Sequence, residues 1–210
     1  MEIVDILLPP TFEKSGKTKT IQQAWDDGDW IGTFNLWIVK NNPMPSIVYQ
    51  IRSGKSSWAP GKIDVTAGGH YSAGEEIKDG LREVREELGK DYDFQELTYI
   101  GRKISVTPDI KGIMRHTVVD IVLIKDESNL DSYILEENEV FAICECSINE
   151  LIKVHTEPGY EFEIEVTDFN KNKFTKKITK DSFPYNWDNY HLKIALLAER
   201  FLKGEKNLIY

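Results

Sequence analysis

Cysteine is nearly absent. Only Cys144 and Cys146 occur in 210 residues, so no disulfide framework can hold this chain together. The two alternate along an apolar run that reads as a strand, on one face of extended backbone, and both thiols are expected to be reduced. A Cys-x-Cys metal site would need further cysteines or a nearby histidine pair, and neither accompanies it. No apolar run approaches the ~20 residues of a membrane span, and no basic region with a signal-length apolar core opens the sequence, which makes the cytoplasm the default location. Internal repeats, low-complexity tracts and a dinucleotide fingerprint are also missing. Positive charge is in deficit, with 26 Lys and Arg against 35 Asp and Glu and a net charge of -9. No basic stripe interrupts that balance, which argues against nucleic acids and anionic membrane surfaces as partners. A small anionic substrate remains compatible if a bound cation and a few local basic residues meet its charge.

What is present suits one folded unit. An apolar fraction of 40% and an aromatic fraction of 11% rule out a disordered chain. A chain of this length buries roughly 70% of its unfolded surface, enough for a single domain over residues 1–210 with an elaboration. The stretch from Gly68 to Gly89, GGHYSAGEEIKDGLREVREELG, reads as a glycine-rich loop and then a short helix with two unlike faces. At 100° per residue Ile77, Leu81, Val84 and Leu88 share one arc, while Glu76, Asp79, Glu83, Glu86 and Glu87 share another with Glu75 at its edge. Asp79 with Glu83, and Glu83 with Glu87, are like-charged pairs one turn apart, each costing roughly 0.2–0.5 kcal/mol on a solvated helix. A hard divalent cation neutralises such a face, because Mg2+ takes carboxylate oxygens and shares its other positions with water and phosphate. Glu83, Glu86 and Glu87, spaced i, i+3 and i+4, can converge on one ion. The glycines are expected to supply positive φ and close backbone approach beneath it.

These residues resemble the signature of the Nudix hydrolases, a Gly, five residues, Glu, seven residues, then Arg-Glu-apolar-x-Glu-Glu-x-Gly. Arg82-Glu83-Val84-Arg85-Glu86-Glu87-Leu88-Gly89 fits the second half at every fixed position, and Gly68, Gly69, Gly74 and Glu75 supply the first. Only six residues separate Glu75 from Arg82, one fewer than the pattern. The resemblance implies an α/β fold, a Nudix-type α/β/α sandwich with a mixed sheet, here with an added C-terminal β-hairpin and helix. It also implies Mg2+ or Mn2+ held by Glu83, Glu86 and Glu87, and catalytic work by Glu86, Arg82 and a glutamate outside the helix. Glu136, Glu137 and Glu139 are the candidates for that last group, and Glu139 is the one chosen. Arg52, Gly68, Gly69 and Trp58 are the candidate substrate-binding residues. The run from Trp58-Ala59-Pro60-Gly61 to Gly69-His70 is similar to the branch related to isopentenyl-diphosphate isomerase, but Gly68 stands where that branch carries its cysteine. A glycine cannot transfer a proton, so hydrolysis is expected and isomerisation is not.

Elsewhere the pattern predicts strands at Glu2–Leu8, Thr33–Lys40, Ser46–Ile51, Ile63–Thr66, Phe94–Ser105, Gly112–Lys125 and Glu139–Cys146. The polar segment Thr11–Trp30 reads as turns anchored by Trp25 and Trp30, and Asn41-Asn42-Pro43 as a hairpin break. Asp120, inside the apolar run VVDIVLI, is either paired at a sheet edge or turned toward the active site. Ser147 with Glu150 predicts a capping box. Residues 161–179 predict a hairpin serving as a pocket lid or a homodimer contact, Pro184–Asn189 a turn, and Tyr190–Phe201 a helix with Leu192, Ala195, Leu196 and Phe201 toward the core. Two functions follow: a metal-dependent hydrolase cleaving a diphosphate in a nucleoside diphosphate-linked or related small molecule, or a catalytically silent nucleotide-binding or sensor domain. The complete carboxylate set favours the hydrolase.

Overall fold

The computed structural model describes residues 2–184 and 187–210. In chain order the elements are β1 (Ile3–Leu8), β2 (Glu13–Thr20), α1 (Ile21–Asp26), β3 (Trp30–Lys40), β4 (Ser46–Arg52), β5 (Ile63–Asp64), β6 (Ala67–His70), α2 (Leu81–Leu88), β7 (Thr98–Pro108), β8 (Met114–Lys125), β9 (Val140–Ser147), α3 (Ile148–Thr156), β10 (Phe162–Asp168), β11 (Lys173–Ile178) and α4 (Tyr190–Leu202). All eleven strands join one mixed sheet. Strand β3 lies at its centre, parallel to β8 from Trp30 opposite His116 to Val39 opposite Lys125, and antiparallel to β4 and β6. A strand covered on both faces reads as a continuous apolar run, and this is the case for VVDIVLI. Val119, Ile121 and Leu123 enter one core cluster, whereas Val122 and Ile124 enter the other.

The helices occupy opposite faces, giving the sandwich. Val84 and Leu88 of α2, with Ile77 and Leu81 at its edge, pack on Phe34, Leu36 and Ile38. Gly80 lets this helix sit down on the sheet, since a Cβ there would lie 2.4 Å from the Phe34 ring. Gly89 ends it in the left-handed conformation at φ 63°. On the other face α3 and α4 cover Trp37, Val39, Tyr49 and Cys144. The buried stripe of α4 is Tyr190, His191, Ile194, Ala195, Leu197 and Ala198, and Leu196 points outward. Sequence spacing chose Leu196 on hydrophobicity, but the arc through Tyr190, Ile194 and Ala198 leaves it on the far side.

Several local expectations change. The segment expected as turns contains β2 and α1, because β2, EKSGKTKT, has no apolar signal and gains its order by pairing with β1 at the sheet edge. Helix α1 is six residues long, too short for periodicity to reveal, and is fixed by a capping box between Thr20 and Gln23. Trp25 is indeed buried, in a satellite cluster with Val4, Ile6, Ala24 and Ile31. Ser147 makes no side-chain cap, and Glu150 instead pairs with Lys153 and Tyr160. Asp120 is the paired residue of its two readings, accepting from Arg102 at 2.8 Å, Tyr99 at 3.1 Å and Tyr71 at 3.3 Å. Both cysteines are free and buried. Of the turn expected at Pro184–Asn189, residues 185 and 186 lie outside the described residues.

The hairpin exists, with Lys177 ion-paired to Glu161 and Lys173 to Glu165 across its strands. It does not cover the acidic cleft, since none of residues 161–179 lines it; β10 instead pairs with β9 and extends the sheet. Val166 and Ile178 are fully buried in the larger core cluster. Ile178→Ala is therefore expected to destabilise the protein by about 2–5 kcal/mol in urea unfolding. A change within the ±0.5 kcal/mol of an ordinary surface site would show that the hairpin is not part of the core.

Candidate active site

Helix α2 turns Glu83 and Glu87 inward against β6 and leaves Glu86 at the surface. Glu87 is 3% exposed; its carboxylate accepts from the Gly68 amide at 3.1 Å and from Gln50 Nε2 at 3.4 Å. Gln50 Oε1, beside it, is buried without a partner. Arg82 joins the remaining acids. Its Nε donates to Glu75 at 3.1 Å, one terminal nitrogen to Glu86 at 2.8 Å, and the other to Glu83 at 3.0 Å and to the His70 carbonyl at 3.4 Å. Glu75 thus braces Arg82 from behind, even with one residue fewer between them than the Nudix pattern has. Asp79 leaves the acidic arc altogether, because the chain at Ile77–Gly80 is a 3-10 turn in which it accepts from the Glu76 amide.

Gly68 and Gly69 are not in a loop and do not use positive φ. They lie on β6, paired with Asn35 and Phe34 of β3. What the site requires of them is the missing Cβ. On Gly69 it would lie 2.3 Å from the carboxylate carbon of Glu83, and on Gly68 2.5 Å from the Phe34 carbonyl oxygen. Two strand positions without side chains, Gly68 and Gly69, are the surface on which the inward carboxylates rest.

A cleft of about 470 Å³ brings together Arg52, Gly68, Gly69, Arg82, Glu83, Glu86, Glu87 and Glu139. Of the three loop glutamates only Glu139 reaches it; Glu136 is spent on Asn138, and Glu137 is exposed. Trp58 lines an adjoining cavity of about 140 Å³ that shares Arg52, Gly68, Gly69 and His70 with the cleft. Arg52 stacks over the Trp58 ring at 5.2 Å, donates to the Trp58 carbonyl at 3.0 Å, and faces Asp64 at 3.5 Å. Sequence reasoning missed Glu2 and Asn138 in the cleft, and Lys103 and Arg115 in the cavity. None belongs to the motif, and only the fold brings them near it.

Burial dominates the electrostatics. It pushes Glu83 up to about 7 against the pull of Arg82, with Glu86, Glu139 and Glu2 adding repulsion. It lifts Glu87 well above the carboxylate range, opposed by the Gly68 amide. His70 is brought down to about 4 by burial and then by Arg115 and Arg52, so it is neutral at pH 7. Among the described residues no three or more His, Cys, Asp or Glu side chains are gathered closely enough to hold an ion as they stand, Arg82 having drawn Glu83 and Glu86 to itself. The chemistry of Glu83 and Glu87 nevertheless fits a hard cation: hard oxygen donors, buried, with an unpartnered amide oxygen alongside.

No protein-family model matches the chain. It is 28% identical over 192 residues to an uncharacterized Nudix hydrolase of Clostridium acetobutylicum, covering 87% of this chain and 91% of that one. It is 32% identical over 142 residues to Nudix hydrolase 3 of Arabidopsis thaliana, covering 65% of this chain but only 18% of the plant protein. Among solved structures it superposes on a Deinococcus radiodurans protein with a TM-score of 0.52 at 17% identity, over 72% of this chain and 86% of that one. A MutT/nudix family protein of Enterococcus faecalis gives 0.50 at 14% identity, over 85% and 65%. The fold is thus the Nudix fold. Both curated relatives carry the name Nudix hydrolase.

The Glu83 carboxyl sets a pH dependence whose sign can be stated. Its folded value of about 7 exceeds its ordinary 4.5, so the folded state holds the proton more tightly. The contribution is full below pH ~4.5 and lost as pH rises through ~7. In chelator, the stability advantage of wild type over Glu83→Gln should fall on going from pH 4.5 to 8 by on the order of 2–3 kcal/mol. Thermal or urea melts of the pair at both pH values measure it, and taking the difference cancels the histidines, which titrate in the opposite sense. An equal gap at both pH values would rule out the buried-carboxyl assignment.

Proposed function

We propose that the chain is a divalent-cation-dependent hydrolase cleaving the diphosphate of a nucleoside diphosphate-linked or related small molecule. The observation that carries this reading is the pair Glu83 and Glu87: two desolvated carboxylates held against Gly68 and Gly69, in a cleft that also contains Arg82, Arg52 and Glu139. Glu83, Glu86 and Glu87 are the residues that would hold Mg2+ or Mn2+. When bound, such an ion neutralises phosphate charge and makes hydroxide accessible from water near neutral pH. Arg82, anchored on Glu75, fixes the directions of Glu83 and Glu86 before an ion arrives. Glu139 lines the same cleft and is the carboxylate proposed to take the proton of the attacking water. Arg52 and the Gly68–Gly69 backbone line the cleft, which supports a phosphate contact for Arg52 and a close approach of the diphosphate at the glycines.

A silent binding domain has no use for two buried carboxylates that are costly without a cation, and this supports turnover. Hydrolysis rather than isomerisation follows from Gly68, whose amide serves Glu87 and which has no side chain to donate or accept a proton. A phosphate-release screen across nucleotide, nucleotide-sugar, dinucleotide and prenyl diphosphates with Mg2+ and Mn2+ tests the reading. Activity should require a divalent ion, and Glu86→Gln or Glu87→Gln should each reduce it by ~100-fold or more. Melting temperatures in chelator should hold close to wild type, since burial already favours the neutral form of Glu87 and the exposed Glu86–Arg82 pair is worth little. Turnover at the wild-type rate in both variants would remove the metal-site assignment. Arg82→Ala should weaken metal affinity by roughly 10–100-fold, as loss of an outer-shell partner does.

A further inference from the structure

The sheet face that buries Trp37, Val39, Ile121 and Leu123 beneath α3 and α4 does not stay apolar to its end. With its alternation unbroken it continues as Thr33 on β3, Thr117 and Arg115 on β8, and Lys103, Ser105 and Thr107 on β7. These residues stand in register: Lys103 opposite Val119, Ser105 opposite Thr117, and Thr107 opposite Arg115. Tyr190, at the start of α4, marks the border, its hydroxyl accepting from Trp37 at 3.0 Å and from Asn35 at 2.9 Å. Beyond it the floor of the 140 Å³ cavity is polar and inward-facing, with Trp58 and Arg52 as walls. In a chain of net charge -9 this cavity is cationic. Arg52, Lys103 and Arg115 line it, and the one carboxylate among the lining residues, Asp64, sits 3.5 Å from Arg52. Asp188, 4.0 Å from Lys103, and Asp109, 3.6 Å from Arg115, lie outside the lining. Arg115 donates to Ser57 Oγ at 2.9 Å, while its buried Nε has no acceptor. Burial pulls both Lys103 and Arg115 below their ordinary values. Cations withdrawn from water are costly unless an anion meets them.

We propose that this cavity binds a phosphate group on the part of the substrate beyond the scissile diphosphate, so that the preferred substrates carry phosphate at both ends and prenyl diphosphates are poor ones. The proposal rests on the reading of the neighbouring cleft as the diphosphate site. The two are continuous through Arg52, Gly68, Gly69 and His70, so one molecule can span them. Guanidinium, ammonium and the hydroxyls of Ser105, Thr107 and Thr117 are the donor set that a tetrahedral oxyanion with several acceptors uses. A hydrocarbon tail would offer the buried Arg115 Nε no acceptor.

The test is calorimetric titration of inorganic phosphate into the full chain in chelator, with acetate as the carboxylate control. Phosphate should bind, and acetate at least ~10-fold more weakly. Arg115→Gln should raise the phosphate Kd by ~10-fold or more, the loss expected of one charge-assisted hydrogen bond. Arg115→Lys, keeping the charge, should recover part of it, and Thr117→Val, which alters only a hydroxyl, should weaken binding without disturbing the fold. Glu87→Gln, confined to the acidic cleft, should bind phosphate no more weakly than wild type. Absence of phosphate binding to the wild type, or equal binding by Arg115→Gln and Thr117→Val, would overturn the proposal. So would tighter acetate than phosphate binding. Phosphate binding that survives while Glu87→Gln retains full hydrolysis would instead overturn the reading of the cleft and leave the cavity standing.

Discussion

The arrangement turns on one guanidinium. Arg82 holds Glu75, Glu83 and Glu86 at once, and in doing so offsets the repulsion that would otherwise build on a helix carrying three glutamates in five residues. About a third of its side chain is exposed, so each ion pair is partly screened and worth no more than about 1 kcal/mol. Its importance is directional. A planar fork with fixed donors sets where the carboxylates point, which a lysine could not do. The hydrogen bond to Glu75 is the leading reason the Arg82 charge is held so firmly.

That arrangement depends in turn on how closely the helix approaches the sheet. Gly80 against Phe34, and Gly69 against Glu83, are contacts that any side chain would prevent. Val84 and Leu88 hold α2 down on the arc beside Glu83 and Glu87, so burial of the apolar stripe is what presses these two carboxyls into a poorly solvated position. Core packing and the raised proton affinity of the acids are consequences of one helix orientation.

The central strands serve both layers. Strand β3 feeds Phe34, Leu36 and Ile38 to one core and Trp37 and Val39 to the other, and β8 does the same alongside it. Covered on both sides, β3 pairs with β6 along Thr33–Leu36. The same strands change from apolar to polar along their length, so one sheet supplies a packed interior under α3 and α4 and an open polar floor beside the cleft. Acidic and basic regions then meet at Gly68 and Gly69, where only backbone separates them.

The motif helix, its two faces, its glycine stop and most strands were legible in the sequence, because each is written in a local period of 3.6 or 2 with a punctuating Gly or Pro. So was the placing of Arg82, Glu83, Glu86 and Glu87 on one helix. Residues whose place depends on partners far along the chain could not be read. Strand β2 has no apolar pattern of its own, α1 spans barely more than a turn and a half, and the hairpin's union with β9 is a long-range pairing. The close backbone approach expected of Gly68 and Gly69 is present, but they lie on a strand and not in a loop of positive φ: only the fold reveals whether φ or a neighbouring carboxylate forbids a Cβ. Lys103 and Arg115 carry no local signal, since a basic residue on an alternating strand looks the same facing solvent or a cavity. Which side of the sheet lies uncovered is decided where α4 begins, at Tyr190, and that boundary exists only once the strands have paired.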